Sequence, residues 1–473
     1  MTLLHRRELL WHLGGGLGGI ALTQLLAEDG VLAAAPRDDL AGGIHHRARA
    51  RRVIQLFMNG GVSQMDTFDH KPLLDKQHGK KFDPGGGVRV EAVTSTPGQV
   101  LRCPFPFAQH GQCGRWVSGV FPHLAKCVDD LGFIFGIGSK TNVHGPASYM
   151  MNTGFTLPGF PCLGAWLSYG LGALSRDLPT FVVLPDQRGL PYNNLGNFSS
   201  GFLPVVHQGT VVRLNAADPI PFLGPPPGTR FITPPGEQAG LEILRRMNQA
   251  HAERNPGDSR LEGRIAAYEL AARMQRSAPE AFDLHRESRP VRDLYGVDDP
   301  TTGPFAKSCL TARRLVERGV RFVQVWSGAG GPANNWDNHG NIQTELAGIA
   351  RQVDQPIASL LRDLKSRGLL EDTLVVWCSE FGRQPFSQGS LGRDHNGGAG
   401  VAWLAGAGIK GGTVTGASDE WGWRSPRPLY SYDLHATIMH LLGIDHERLT
   451  FRHNGADRRL TDVHGHVLHD LLA

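Results

Sequence analysis

The residues most able to carry chemistry form short polar groups, each following an apolar run of the chain. The groups are Asn59 with Ser63 and Asp66; His144; Asp337 with His339; Glu380 with Arg383; and Arg393 with Asp394 and His395. One such group is ordinary, because a loop Asp or His is often solvated or caps a turn. Several groups that supply oxygen and imidazole together are what a hydrolytic divalent metal requires. The residue types therefore predict a metal site.

The elements that position these groups are five short apolar runs, which the sequence predicts as buried strands. They span residues 52–58, 132–137, 181–185, 320–326 and 373–378. Helical periodicity over 312–318 and 357–367 alternates with them, which favours βαβ units around a mostly parallel sheet. Ligands of open parallel sheets bind beyond the carboxyl ends of the strands. The polar groups all follow predicted strands, so we expect them to meet at that edge.

A helical segment interrupts this pattern at about residues 237–285. Its periodicity breaks at residues 255–257 (NPG), which predicts an inserted helical hairpin packed on the sheet. We interpret the apolar positions of residues 261–274 as core in preference to a partner-binding face.

Composition restricts the class of protein further. The chain has 473 residues, with 61 Gly and 31 Pro in no regular period, which argues against collagen, coiled coil and wholesale disorder. The net charge of +4 does not call for a nucleic-acid partner. Six cysteines without CxxC or Cys/His zinc spacing favour buried free thiols, although paired cysteines stay compatible with export.

The first 35 residues have the features of an export signal. Arg6 and Arg7 precede an apolar, glycine-rich stretch over 9–26, and small residues at 33–35 could precede a cleavage site. The sequence predicts a twin-arginine-type signal peptide over 1–35 and a linker over 36–50; an ordinary amphipathic N-terminus is the alternative. Beyond it no run of about 18 apolar residues occurs, so we expect no stable membrane span and a location in the periplasm or outside the cell.

Three motifs resemble the DUF1501 family, a group related to alkaline phosphatases and sulfatases. They are residues 56–69 (LFMNGGVSQMDTFD), 380–383 (EFGR) and 392–395 (GRDH). The resemblance implies an α/β, alkaline-phosphatase-like fold over residues 51–473. Three layers, α/β/α, are then expected around a mostly parallel central sheet.

The resemblance also assigns roles to individual positions. Residues 144–154 (HGPASYMMNTG) keep the Pro and the Thr-Gly of the sulfatase nucleophile motif, which places His144 where sulfatases carry their nucleophile. Asn59 stands where the first metal-bridging aspartate is expected. Asp337, His339 and His395 match metal ligands of the phosphatases. Glu380 keeps a carboxylate where an aspartate is usual.

These assignments predict one three-ligand site, formed by Asp337, His339 and His395. A second site would have only Asn59, Asp66, Glu380 and Asp394 (a weaker set). The expected cofactor is a divalent metal, with Zn, Mn and Ca as candidates. Two structural alternatives stay open, namely an Asp394–His395 pair that orders a loop and a Glu380–Arg383 ion pair.

Two functions are compatible with these residues. The first is an exported metal-dependent hydrolase of phosphate or sulfate esters, with small anionic esters or sulfated polysaccharides as substrates. His144 would be its base or nucleophile, and Arg383 or Arg393 would steady the anion. The second is a catalytically inactive sulfatase-like protein that binds an anionic glycan or a metal. Dinucleotide binding is disfavoured because no GxGxxG opens a helix.

Overall fold

The computed structural model describes residues 44–473 except 89, 91–96, 217–218, 221–233, 256–258, 332 and 389. The described residues lie in one compact unit of the chain. The predicted signal peptide and the first part of the predicted linker lie outside the described residues, so both stay predictions.

The described chain alternates strands and helices. The strands are β1 (Arg52–Met58), β2 (Phe107–His110), β3 (Arg115–Ser118), β4 (Leu131–Phe135), β5 (Phe181–Leu184), β6 (Thr210–Val211), β7 (Phe322–Ser327), β8 (Thr373–Cys378), β9 (Gly382–Ser387), β10 (Arg393–Asn396), β11 (Val401–Ala405), β12 (Val414–Thr415), β13 (Phe451–His453) and β14 (Ala456–Arg458). The α-helices are α1 (Pro72–Gln77), α2 (His144–Thr153), α3 (Leu163–Leu171), α4 (Pro234–Arg254), α5 (Ser259–Phe282), α6 (Arg289–Tyr295), α7 (Gly303–Glu317), α8 (Ile342–Ser366) and α9 (Ser431–Leu441).

Eight strands form one central sheet in the order β12-β4-β11-β8-β1-β7-β5-β6. Strand β11 runs antiparallel to both of its neighbours, and the other pairs in this sheet are parallel. The carboxyl ends of the parallel strands therefore share one edge of the sheet, as the sequence predicts.

Helices cover both faces of the sheet because successive side chains of a strand point to opposite faces. In β1, Ile54 and Leu56 pack in one core with residues of α7 and α8. Val53 and Phe57, on the other face, pack in a second core with residues of α3 and α9. The mostly parallel α/β fold expected from the sequence is thereby confirmed.

The strand boundaries follow the apolar runs closely. Strands β1 and β8 have the predicted limits, and β4, β5 and β7 differ by one or two residues at their ends. The element that the sequence analysis does not anticipate is the antiparallel hairpin β9–β10, because its strands are rich in polar residues and are nevertheless almost wholly buried.

Two long helices, α4 and α5, occupy the segment of the predicted insertion. Helix α5 contacts helix α7 and residues 205–207, so the described part of this segment reaches the sheet through α7. Met274 is buried, Leu261, Ile265 and Leu270 are half-buried, and Leu241 and Met247 of α4 are exposed.

Two further properties bear on the predictions. All six cysteines are free thiols, and four of them are buried. Among the described residues, none of the helices combines the length and the apolarity that crossing a bilayer requires.

Candidate metal centre

Four side chains from three separate segments meet at the carboxyl edge of the sheet. His144 is the first residue of α2, Asp337 and His339 lie in the loop between β7 and α8, and His395 lies on β10. Each can offer one ligand atom, and these atoms lie within 4.8 Å of one another. Asp337, His339 and His395 are the expected three ligands; His144 joins them as a fourth member.

Asp337 Oδ1 lies at the middle of this group. Its distances are 2.7 Å to His339 Nε2, 3.1 Å to His395 Nε2 and 3.2 Å to His144 Nε2. The Nε2 atoms of His339 and His395 are 2.8 Å apart. All three imidazoles thus turn the same ring nitrogen towards a single carboxylate oxygen.

The Nδ1 atom of each imidazole lies against an oxygen acceptor. These acceptors are Glu380 Oε1 for His144 at 2.6 Å, the backbone carbonyl of Asn142 for His395 at 2.7 Å, and Gln388 Oε1 for His339. A neutral histidine that donates from Nδ1 keeps its lone pair on Nε2. Metal-bound histidines are commonly oriented in this manner, by a carboxylate, a carbonyl or an amide on the other nitrogen.

This arrangement fits a cation. With the three Nδ1 hydrogens donated outward, three nitrogen lone pairs and a carboxylate oxygen face one another, and the Arg383 guanidinium offsets this repulsion on one side, next to Asp337 and His339. His144 Nε2 is buried and has no hydrogen-bond partner, although it lies near Asp337. An unpartnered buried nitrogen in such a group is a ready ligand, so the four residues suit a divalent metal.

Glu380, expected as a ligand, contacts the group through the Nδ1 atom of His144. Its side chain is wholly buried, and its carboxylate accepts from the Gly60 amide at 2.9 and 3.1 Å as well as from His144. Gly60 has φ +127°, and a Cβ there would lie 2.5 Å from the backbone nitrogen of Asp337. Glycine after Asn59 therefore lets β1 end directly against the Asp337 loop.

Arg383, expected to steady a substrate anion, is instead part of the scaffold. Its guanidinium is wholly buried and donates to Asp337 Oδ1 at 2.6 Å. It also donates to the backbone carbonyls of Gly60, Gly61 and Arg393. The ion pair of Arg383 is thus with Asp337, where the sequence analysis considered Glu380.

Asp66 and Arg393 form a second buried pair. Arg393 donates to both carboxylate oxygens of Asp66, at 2.6 and 2.9 Å, and neither side chain is exposed. Ser63 also donates to Asp66. The geometry favours a structural role for Asp66 and Arg393 over the predicted metal-binding and anion-binding roles.

The remaining predicted ligands, Asn59 and Asp394, lie beside the group. Asn59 Nδ2 donates to the carbonyl of Gly328 at 3.2 Å, and its Oδ1 is buried without a partner. Asp394 Oδ1 accepts from the backbone amide of His395 at 2.8 Å, which agrees with the alternative that this aspartate orders the loop. Metal binding by these two residues stays a prediction.

The environment shifts the pKa values of the group in different directions. Burial opposes the protonated form of His144, but contacts with Asp337 and Glu380 outweigh it and raise the pKa of that imidazole. Burial lowers the pKa of His395. Burial would raise the pKa of Asp337, but the surrounding histidines and Arg383 hold it well below its usual range. Asp337 is therefore ionised at any physiological pH.

Several residues that shape the centre carry no signal in the sequence. Tyr192 stacks on His144 with ring centroids 4.4 Å apart and planes 7° apart, and Phe381 contacts both His144 and His395 at 4.9 Å. Gln388 acts through its side-chain amide oxygen, and Asn142 acts through a backbone oxygen, which any residue could supply. Only the position of Tyr192, shortly after a strand end, could have suggested a role.

A cleft of about 520 Å³ opens at the ends of the neighbouring strands β5 and β7. Its lining combines amide and hydroxyl groups with prolines and the aromatic side chains of Phe305 and Trp326, and it contains one ion pair, between Asp186 and Arg188. Ser327, which lines the cleft, accepts from Trp336 Nε1 at 3.0 Å, and Trp336 directly precedes Asp337. The cleft is thus linked to the Asp337 loop through Ser327 and Trp336, and its lining does not include the four residues of the group.

The site and the fold together define an α/β protein with a His/Asp group that could hold a metal at the carboxyl edge of its sheet. The family model described as "Protein of unknown function (DUF1501)" matches residues 50–472, so the chain belongs to the DUF1501 family. This confirms the family expected from the motifs.

The solved structures that the chain matches share little sequence with it. They include the phosphonate monoester hydrolase SpPMH from Silicibacter pomeroyi (14% identity, 68% of each chain covered, TM-score 0.34). The PsFucS1 sulfatase from Pseudoalteromonas sp. shares 14% identity over 91% of this chain and 72% of that one (TM-score 0.32). Alkaline phosphatase from the Antarctic bacterium TAB5 shares 12% over 83% and 97% (TM-score 0.33). No curated protein sequence matches the chain.

Proposed function

We propose that this protein is a metal-dependent hydrolase of phosphate or sulfate esters. The observation that carries the proposal is the convergence of three imidazole Nε2 atoms on Asp337 Oδ1, with every Nδ1 held by an oxygen acceptor. His144, Asp337, His339 and His395 would hold the metal. When bound, a divalent cation would polarise the ester and make a water more acidic.

The surrounding residues prepare the centre for that chemistry. Glu380 fixes the ring of His144, and Arg383 keeps Asp337 ionised and in place. The Tyr192 and Phe381 rings cover His144, which limits the access of bulk water from those directions. Rigid ligands and a partly dry environment are what electrostatic stabilisation of a transition state requires.

For His144, the geometry supports a ligand over a nucleophile or base. Nδ1 is engaged by Glu380, and the unpartnered Nε2 points towards Asp337, where a shared metal would lie. In that role, His144→Ala should lose bound metal and hydrolysis together. Loss of hydrolysis by ~10²–10⁴-fold with full metal content would instead support general acid–base chemistry.

The alcohol part of the ester would bind in the cleft that Ser327 and Trp336 link to the Asp337 loop. Asp186 and Arg188 offset each other, so the lining carries no net charge from this pair. Amide and hydroxyl groups suit a hydroxyl-rich group such as the sugar unit of a polysaccharide. The charged ester group would then lie towards the metal centre, and the neutral part in the cleft.

The test is a hydrolysis assay of the purified chain with aryl phosphates, sulfates and phosphonates, each with added Zn²⁺, Mn²⁺ or Ca²⁺. We expect turnover of at least one ester class, abolished by chelation and by Asp337→Asn. The control is Asp372→Asn, which removes an ion pair with Arg52 at the opposite end of β1 and β8 and should leave turnover unchanged.

One observation favours a second candidate, a catalytically inactive protein that binds metal or an anionic glycan. Arg383 and Arg393 are both buried and paired, so neither is available to hold a substrate anion, and His144 replaces the nucleophile of sulfatases. A wild type that binds metal but cleaves no ester of the three classes would support this candidate.

We also propose that the protein is exported through the twin-arginine route, on the basis of Arg6, Arg7 and the following apolar stretch. Replacement of both arginines by lysine should retain the full-length precursor in the cytoplasm. Unchanged secretion of that variant would contradict the route.

A further inference from the structure

The donor atoms and the buried charge at the centre restrict which cation, and how many cations, the centre can hold. We propose that the centre takes a single ion of the nitrogen-preferring kind, such as Zn²⁺ or Co²⁺, and that the Arg383 guanidinium stands in place of a second cation. This inference rests on the metal centre of the proposed function.

The donors at the centre are mostly nitrogen atoms. Three of the four converging atoms are imidazole nitrogens, and one is a carboxylate oxygen. Imidazole suits zinc and the later transition metals. Ca²⁺ takes six to eight oxygen ligands and Mg²⁺ is also bound by oxygen, so a group with one carboxylate is poorly suited to either.

A fixed positive charge, the Arg383 guanidinium, lies next to the donors. The Arg383 guanidinium lies 2.6 Å from Asp337 Oδ1 and 3.4 Å from His339 Nε2, with no exposure to solvent. Backbone carbonyls of Gly60, Gly61 and Arg393 hold it there. At such distances and away from water, a second cation sharing Asp337 would be strongly repelled.

The neighbouring carboxylates of Asp66 and Glu380 already have hydrogen-bond partners. Both oxygens of Asp66 accept from Arg393. Both oxygens of Glu380 accept from the Gly60 amide, and one also accepts from His144. Across the described ranges of the chain, a single group of His, Cys, Asp and Glu satisfies the distances for a metal, and it is the group around Asp337.

The test is metal retention by the full chain after chelation. Samples are incubated separately with equal excess of Zn²⁺, Co²⁺, Mn²⁺, Ca²⁺ or Mg²⁺, passed through a desalting column, and analysed by mass spectrometry for metal per chain. We expect one Zn²⁺ or Co²⁺ per wild-type chain, visible absorption from bound Co²⁺, and little Ca²⁺ or Mg²⁺. The His395→Ala variant should retain neither Zn²⁺ nor Co²⁺.

The outcomes separate this inference from the proposed function. Two Zn²⁺ per wild-type chain, or Ca²⁺ retained as well as Zn²⁺, would overturn the inference and leave a metal-dependent hydrolase intact. Retention of no ion of any kind would overturn both. One Zn²⁺ in a protein that cleaves no ester would support the inference and contradict the proposed hydrolysis.

The role of Arg383 is tested by comparing Arg383→Lys with Arg383→Gln. The lysine variant keeps a cation beside Asp337, whereas the glutamine variant releases the carboxylate to the metal. In folded proteins, we expect Zn²⁺ affinity to be at least about tenfold higher with glutamine than with lysine. Equal affinities would contradict the role of Arg383, and if the glutamine variant does not fold, the wild-type stoichiometry decides.

Discussion

At the scale of single residues, the hydrogen bond between His144 Nδ1 and Glu380 fixes the orientation of the His144 ring. Glu380 is buried and has no exposed surface with which to bind substrate, yet it holds both a ligand ring and the Gly60 turn. A carboxylate in this position orients the imidazole and makes it a stronger donor. These contacts favour a positioning role for Glu380, where the sequence analysis predicts a ligand.

We expect Glu380→Gln to lower zinc affinity by about 10–100-fold, the loss usual for partners of metal-bound histidines. The measurement is the Kd for Zn²⁺ by competition with a chelator. Glu371→Gln, the same change at an exposed position, is the matched control. An unchanged Kd in a folded Glu380→Gln protein would show that Glu380 does not act through His144.

At the scale of elements, the β9–β10 hairpin is the part of the fold that completes the centre. It carries Arg383 and His395, and its turn packs directly on the Asp337 loop through the isolated bridge between Asn341 and Leu391. A Cβ on Gly392 would lie 2.0 Å from the carbonyl oxygen of His339, so the two segments touch through their backbones. Only glycine permits this approach.

Gly392→Ala should therefore push the hairpin away from His339 and weaken both metal binding and folding. The measurements are Zn²⁺ per chain and the free energy of unfolding. Gly348→Ala is the matched control, because a Cβ at that position in α8 meets nothing within 4 Å and alanine favours helix by about 0.5–1 kcal/mol. A Gly392→Ala protein that is as stable and as metal-rich as wild type would refute the packing argument.

The elements also show what the sequence can and cannot predict. Strands β1 and β8 are continuous apolar runs between turn residues, so their limits follow from the pattern. The hairpin does not, because the residues of β10, Arg393 to Asn396, are polar and yet wholly buried by tertiary contacts. Likewise, Asp337, His339 and His395 are identified by residue type, whereas Gln388 and Asn142 depend on a geometry that only the folded chain provides.

At the scale of the whole molecule, the polar side chains of the candidate site lie at one edge of a sheet whose two faces are covered by apolar cores. A buried histidine far along the chain, His435 in α9, contributes to the pH dependence of this structure. Burial lowers its pKa to about 4, and its Nε2 donates to the carbonyl of Met151 at 2.9 Å. The folded state thus holds this imidazole neutral.

Between pH 6.5 and pH 4 the unfolded chain protonates this histidine, whereas the folded chain holds it neutral. The contribution of this histidine to the free energy of unfolding is therefore fully retained above the unfolded pKa of 6.5 and decreases as the pH falls towards 4. Between pH 7 and pH 5, wild type should lose about 2 kcal/mol of unfolding free energy through this group. His435→Leu should lose correspondingly less over the same interval, while His251→Leu at an exposed position should behave as wild type. Parallel pH profiles for wild type and His435→Leu would contradict this contribution.

Anomalous diffraction from crystals of the zinc-loaded protein tests most directly whether the metal binds among the four side chains of the centre. The predicted result is one strong zinc peak bonded to the Nε2 atoms of His144, His339 and His395 and to the carboxylate of Asp337. A map with no peak among these four side chains, or with zinc only at other histidines such as His46 and His440, would contradict the account.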